Sequence, residues 1–119
     1  MQTPSETTLR IRALNDYVRT RQHLLGMLLV EGDLVITRGV SANGQAFITK
    51  AMQAVRDFHD FDEGNDPYGE HDFGVFKIDG QTLFWKIDYY DAAHEHGSAH
   101  PEDAGKTRRV LTVLLAEEY

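Results

Sequence analysis

The stretch "NDPYGEHDFG", residues 65–74, sets Asp66, Glu70, His71 and Asp72 among the breakers Asn65, Pro67 and Gly69. "WKIDYYD" follows at 85–91 and adds Asp88 and Asp91. An imidazole near carboxylates can do general acid–base chemistry or help to hold a hard cation. If the protein is an enzyme, His71 with Asp72, Asp88 and Asp91 is its candidate catalytic set. The spacing fits no metal motif. There is no H-E-x-x-H, and in "DFDEGND" Gly64 falls one place too early for a calcium loop, with no Glu at the required offset. No metal or cofactor is expected. The competing structural reading, which the residue types favour, makes Asn65 and Asp66 the holders of a turn. His71 and Asp72 then bond to loop backbone where a strand begins, close to Asp88 on the neighbouring strand.

Three other groups can be read the same way. His94, His96 and His100 lie within seven residues and could bind zinc or nickel. His94 and His96 are two apart, however, so an extended chain points them to opposite sides. Trp85, Tyr89 and Tyr90 could stack nucleobases, but only Lys77 and Lys86 are near them in sequence, and core packing suits Trp85 and Tyr89 better. No G-x-S-x-G and no phosphate-cradling glycine loop is present.

Charge is the strongest global signal. The chain has 119 residues and a net charge of −7, unevenly spread: residues 1–56 carry +3, residues 57–103 carry −11 and residues 104–119 carry +1. The acidic middle disfavours direct duplex binding, which needs cations against phosphates. It suits a basic partner, for which Asp57, Asp60, Asp62, Glu63, Asp66 and Glu70 are the candidate contacts. There is no Cys, so disulfides, thiolate metal sites and a Cys nucleophile are excluded. The longest apolar run, "LLGMLLV", is too short to span a bilayer, and "MQTPSETTLR" does not read as a secretory signal. A cytoplasmic protein with no membrane role is expected.

The elements that must position these residues follow from periodicity. "TPSE" at 3–6 suggests a helix start with Thr3 as cap, and Ile11, Leu14 and Val18 continue it over about 4–22. A strand is expected at about 33–38, closed by Gly39, with a shorter one at 27–30. Ser41 is a candidate cap for a second helix over about 43–58. Asp79-Gly80 predicts a tight turn between strands at 75–78 and 82–89, with Leu83, Trp85, Ile87 and Tyr89 on one face. "TRRVLTVLLAEEY" fits a helical stripe and an alternating strand; its Leu, Ala and Glu content favours the helix. The fold class is α+β, one domain over 1–119: a small antiparallel sheet of three or four strands with two or three helices, ordered α-β-α-β-β-α.

"NDPYGEHDFG", "WKIDYYD" and the terminal "RVLTVLLAEEY" resemble a family of small bacterial proteins of unknown function, common on alphaproteobacterial plasmids and other mobile elements. The likeness is strongest from Asn65 to Asp91 and extends to "RIRALNDYVRTR" and "LVITRGV". It implies a mobile-element setting and no particular chemistry. Two readings remain. The favoured one is a non-enzymatic interaction protein, an accessory factor that inhibits a host defence or nucleic-acid-processing enzyme through its acidic surface. The alternative is a small enzyme built on His71, metal-dependent or not. Convergence of His71 and two carboxylates in a concave pocket would favour the second. The oligomeric state is open.

Overall fold

The computed structural model describes residues 3–22 and 32–119. Helix α1 spans Glu6–Thr20; the Oγ of Ser5 accepts the N–H of Thr8 at 3.0 Å. Ser5 rather than Thr3 is thus the cap. Its extended backbone sits one residue after Pro4, and Glu6 opens the helix where a negative charge favours the dipole. The strand expected at 27–30 lies outside the described residues. Strand β1 is Gly32–Ile36, followed by a one-turn helix α2, Arg38–Ser41, capped by Thr37. Gly39 belongs to α2 rather than ending the strand. It leaves room for Glu118, whose carboxylate accepts its N–H and would lie 2.6 Å from a Cβ at that position. Helix α3, Gln45–Asp57, starts at Gly44 with φ 91°, so Ser41 is not its cap.

Strands β2, Phe73–Ile78, and β3, Gln81–Tyr90, form the expected hairpin. Asp79 and Gly80 both have positive φ, 50° and 82°, the geometry whose twist matches paired strands. Residues 108–115, expected to be helical, instead form strand β4, Arg108–Leu115, ending in a 3-10 turn at Ala116–Glu118. The sheet order is β1-β4-β3-β2. β4 therefore has a neighbour on each side, and Leu114 is buried on one face as Leu111, Val113 and Leu115 are on the other. Burial alternates along β4 until Leu114, but Val110, Leu111, Leu114 and Leu115 also fall at helical spacing, and that apolar run imitates a helix. The sheet is mixed rather than antiparallel: β4 is antiparallel to β3 and parallel to β1. The crossover through α2 and α3 followed by the β2–β3–β4 meander requires this.

The core lies on one face. Phe47, Ala51 and Val55 of α3 pack on Leu83, Trp85, Ile87, Leu111 and Val113. Trp85 is fully buried, edge-on to Phe58 and Phe61. Opposite it in register is Gly74, where a Cβ would lie 2.2 Å from the indole Nε1. The alternation that placed Trp85 inward thus depends on a glycine in the neighbouring strand to seat the ring.

Candidate functional site

Residues 58–72 run from the end of α3 to β2 along the side of α1. The segment first organises itself. The Asp62 carboxylate accepts the N–H groups of Gly64 and Asn65 at 2.8 and 2.9 Å, and Asn65 returns its amide to the carbonyl of Asp60. Asp66 is buried, and its Oδ1 accepts the N–H of His71 at 3.0 Å. These are the turn-holding roles expected of Asn65 and Asp66.

The segment is then tied to α1. Arg12, Asn15, Asp16 and Arg19 come round the helix at spacings of one, three or four, so they turn broadly the same way. Arg12 Nε donates to the carbonyl of Gly69 at 2.7 Å. Asn15 Nδ2 donates to the carbonyl of Glu70 and to the Tyr89 hydroxyl. The Asp16 carboxylate meets His71 Nδ1 at 2.9 and 3.1 Å. Arg19 donates to that same carboxylate and to the carbonyls of Val55, Arg56 and Phe58 at the end of α3. The guanidinium therefore serves two purposes: it fixes Asp16 and it neutralises the negative end of a helix.

His71 has φ 56°, a region that His tolerates better than most side chains. That backbone breaks the strand alternation. The imidazole turns toward α1 instead of toward Asp88, stacks on Phe61 with ring centres 3.7 Å apart, and leaves Nε2 3.8 Å from Asp66. Asp88 is taken by Lys86 at 2.6 Å. Asp91 is half-buried and accepts the N–H of Glu95; that backbone bond holds its carboxyl below the usual range. Asp72 is half-buried, and burial, then the charge of Glu70, pushes it up to about 6, with smaller contributions from Asp66 and Asp88. The proposed companions of His71 thus stand apart from it, and the carboxylates that do meet it are Asp16 and Asp66.

Sequence reasoning missed Asn15, Asp16, Arg19 and Arg109. Arg109 is fully buried; its Nε donates to Asn15 Oδ1 at 2.7 Å, and its guanidinium lies over the Tyr89 ring. The Tyr89 hydroxyl in turn donates to Glu70 at 2.8 Å. A signal was present: Asn15 continues the stripe of Ile11 and Val18, and Arg109 precedes Leu111, Val113 and Leu115 on the inward face. A polar residue at an apolar position marks a buried network.

Between α1 and this segment lies a cleft of about 790 Å³, lined among others by Pro4, Arg12, Phe61, Glu63, Tyr68 and His71. Of the candidate partner contacts, Asp57, Asp60, Asp62 and Glu63 are exposed, whereas Asp66 and Glu70 turn inward to His71 and Tyr89. The three loop histidines do not converge: His94 faces Asp33 at 3.4 Å and His100 faces Glu102 at 3.6 Å. Among the described residues no three His, Cys, Asp or Glu side chains form a group that could hold a metal ion. Among the same residues no helix is long and apolar enough to cross a membrane.

What fold and site define is an α+β domain with helices on one face of a four-stranded mixed sheet, and a long acidic segment clamped to its first helix. The chain belongs to the family described as "Protein of unknown function (DUF3768)", whose family model matches residues 36–118. The match starts at Ile36, so the likeness read in "RIRALNDYVRTR" precedes it, as do the α1 residues that grip the acidic segment. No curated protein and no solved structure matches the chain.

Proposed function

We propose that this is a non-enzymatic interaction protein of the cytoplasm, an accessory factor of a mobile element that binds a basic partner protein and inhibits it. A host defence or nucleic-acid-processing enzyme is the kind of partner that fits. The carrying observation is the exposure of Asp57, Asp60, Asp62 and Glu63 within seven residues that contain no Lys or Arg. Asp62 is locked by its turn, which holds the stretch in a fixed shape. Fixed carboxylates can occupy a basic channel where phosphates would lie, and such contacts act mainly on association rate and specificity. The mobile-element setting rests on the sequence resemblance alone.

The test uses a triple variant, Asp57→Asn, Asp60→Asn and Glu63→Gln, which spares the turn-holding Asp62. Proteins captured from a bacterial host by wild type should be lost by the folded variant, more clearly at low salt than at high salt. Equal capture by both would reject the reading.

One observation favours the enzymatic alternative: His71 and the carboxylates of Asp16 and Asp66 meet beside the cleft, with Asp16 fixed by Arg19. A base held by an orienting carboxylate is a general acid–base arrangement. A His71→Gln protein that stays folded and loses its phenotype in the host would support it; a retained phenotype would exclude it.

A further inference from the structure

The cleft beside α1 adds a shape to the charge of the acidic stretch. Its lining is mostly polar, with Pro4, Phe61, Pro67 and Tyr68 as the apolar members. Tyr68 stands at it with 77% of its surface exposed, among the most exposed large hydrophobic side chains of the fold. An isolated exposed tyrosine needs no explanation, but one lining a cleft together with Pro4, Phe61 and Pro67 is a candidate interface anchor. Glu63 lines the same cleft, is exposed, and makes no side-chain bond among the described residues.

Arg12 lines the cleft as well. Its Nε is committed to the carbonyl of Gly69, which has φ 72°, and a Cβ there would lie 3.0 Å from Arg12 Nη2. Glycine at 69 therefore serves both the turn and the seat of the guanidinium. No carboxylate lies within ion-pair distance of Arg12 among the described residues, so its remaining N–H groups are open to an acceptor.

We infer that this cleft seats an extended segment of the partner protein bearing an arginine or lysine side chain. The inference rests on the interaction reading above. The aliphatic stem would lie against Pro67 and Tyr68, and the cationic head against the tyrosine face and Glu63. Arg12, which repels a cation, would take a backbone carbonyl of the same segment and so fix its direction. An arginine-bearing segment fits better than an acidic one, because the exposed Asp62 and Glu63 line the cleft against the single guanidinium of Arg12.

The test is titration of the purified protein with a blocked, dye-labelled nonapeptide carrying arginines in a proline-rich extended frame. The same peptide with citrulline in place of arginine is the control. Fluorescence anisotropy should show the arginine peptide binding at least tenfold more tightly than the citrulline one. Tyr68→Ala and Glu63→Gln should each weaken it severalfold or more at unchanged melting temperature, and Glu95→Gln, on the other acidic loop, should leave it unchanged. No binding, equal binding of both peptides, or equal loss in the Glu95 variant would overturn the cleft. If partner capture falls in the acidic triple variant but not in Tyr68→Ala, the interaction reading stands and the cleft inference fails. If neither substitution affects capture, both fail.

Discussion

Two long polar loops, residues 58–72 and 91–107, look alike in sequence and are built differently. Each is rich in Asp, Glu, His and Gly. The first is bound to a distant helix: His71 to Asp16, the carbonyl of Glu70 to Asn15, and the carbonyl of Gly69 to Arg12, all across more than 50 residues of chain. The second is held mostly by its neighbours. Asp91 accepts from Glu95, Asp103 from Gly105, and Thr107 bonds the carbonyl of His100. Composition made them equivalent; the difference comes from what stands opposite. A helix face bearing Arg12, Asn15, Asp16 and Arg19 turns the first loop into part of the folded body.

The sharpest way to break the comparison is at Asn15, which is fully buried and serves the loop, β3 and β4 together. Asn15→Ala leaves the Arg109 Nε and the Glu70 carbonyl without their partner inside the protein. A loss of about 3 kcal/mol is expected, at the lower end for breaking a buried charged network, read from urea unfolding. A loss below about 1 kcal/mol would mean that the first loop is not fastened through Asn15.

Gly74 tests how the loop hands over to the sheet. Gly74→Ala places a methyl group 2.2 Å from the Trp85 indole and 2.8 Å from the Phe58 ring. Overpacking of this kind costs about 1–3 kcal/mol. Indole fluorescence should shift as the ring is displaced. Unchanged stability and spectrum would show that the core has slack at this point.

A direct pairing of the loops comes next. His71→Gln retains a group able to bond Asp16 but loses the stack on Phe61 and places Gln at φ 56°. It should cost about 1–2 kcal/mol. His96→Ala, on the exposed second loop, should change stability by less than about 0.5 kcal/mol, as surface substitutions do. Equal effects in thermal melts would erase the distinction between the loops.

The sequence carried the parts of this arrangement that depend on near neighbours. The Asp79-Gly80 hairpin, the two long helices and the inward face of β3 all follow from turn chemistry and periodicity. Asn65 and Asp66 could be read as turn formers because their partners lie within five residues, whereas the turn role of Asp62 was not drawn from the sequence. The companion of His71 could not: Asp16 is 55 positions away, and register alone pointed to Asp88, until the positive φ at His71 turned the ring to the other side. β4 was misread for a related reason. Val110, Leu111, Leu114 and Leu115 fit a helical stripe as well as Leu111, Val113 and Leu115 fit a strand, and the neighbours that decide for the strand, β3 and β1, are distant in sequence.

The smallest expected effect is a gain. Asp72 lies where the well-tied loop enters β2, among the charges of Glu70, Asp66 and Asp88. Its folded-state value of about 6 is above the ordinary 3.8, so the folded protein disfavours the ionised carboxyl. The sign follows from linkage: at pH above about 6 the fold bears this penalty in full. The penalty shrinks as pH falls through 6 and is gone below about 3.8, where the carboxyl is protonated in both states. Asp72→Asn removes it and should stabilise the protein at pH 7.5 by about 1 kcal/mol, a figure discounted because the group is partly solvated. The gain should fade toward zero at pH 4. Asp91→Asn, on the second loop, should behave oppositely, because its bonds from the backbone N–H groups of Glu95 and His96 favour the ionised form. It should be neutral or slightly destabilising at neutral pH, with the difference from wild type disappearing in acid. Melting temperatures of the two variants across pH 4–8 should therefore diverge in opposite directions as pH rises. Parallel curves would show that the carboxylates crowded at residues 66–72 are solvated as freely as those of the outer loop, and that the clamp to α1 does not bury their charge.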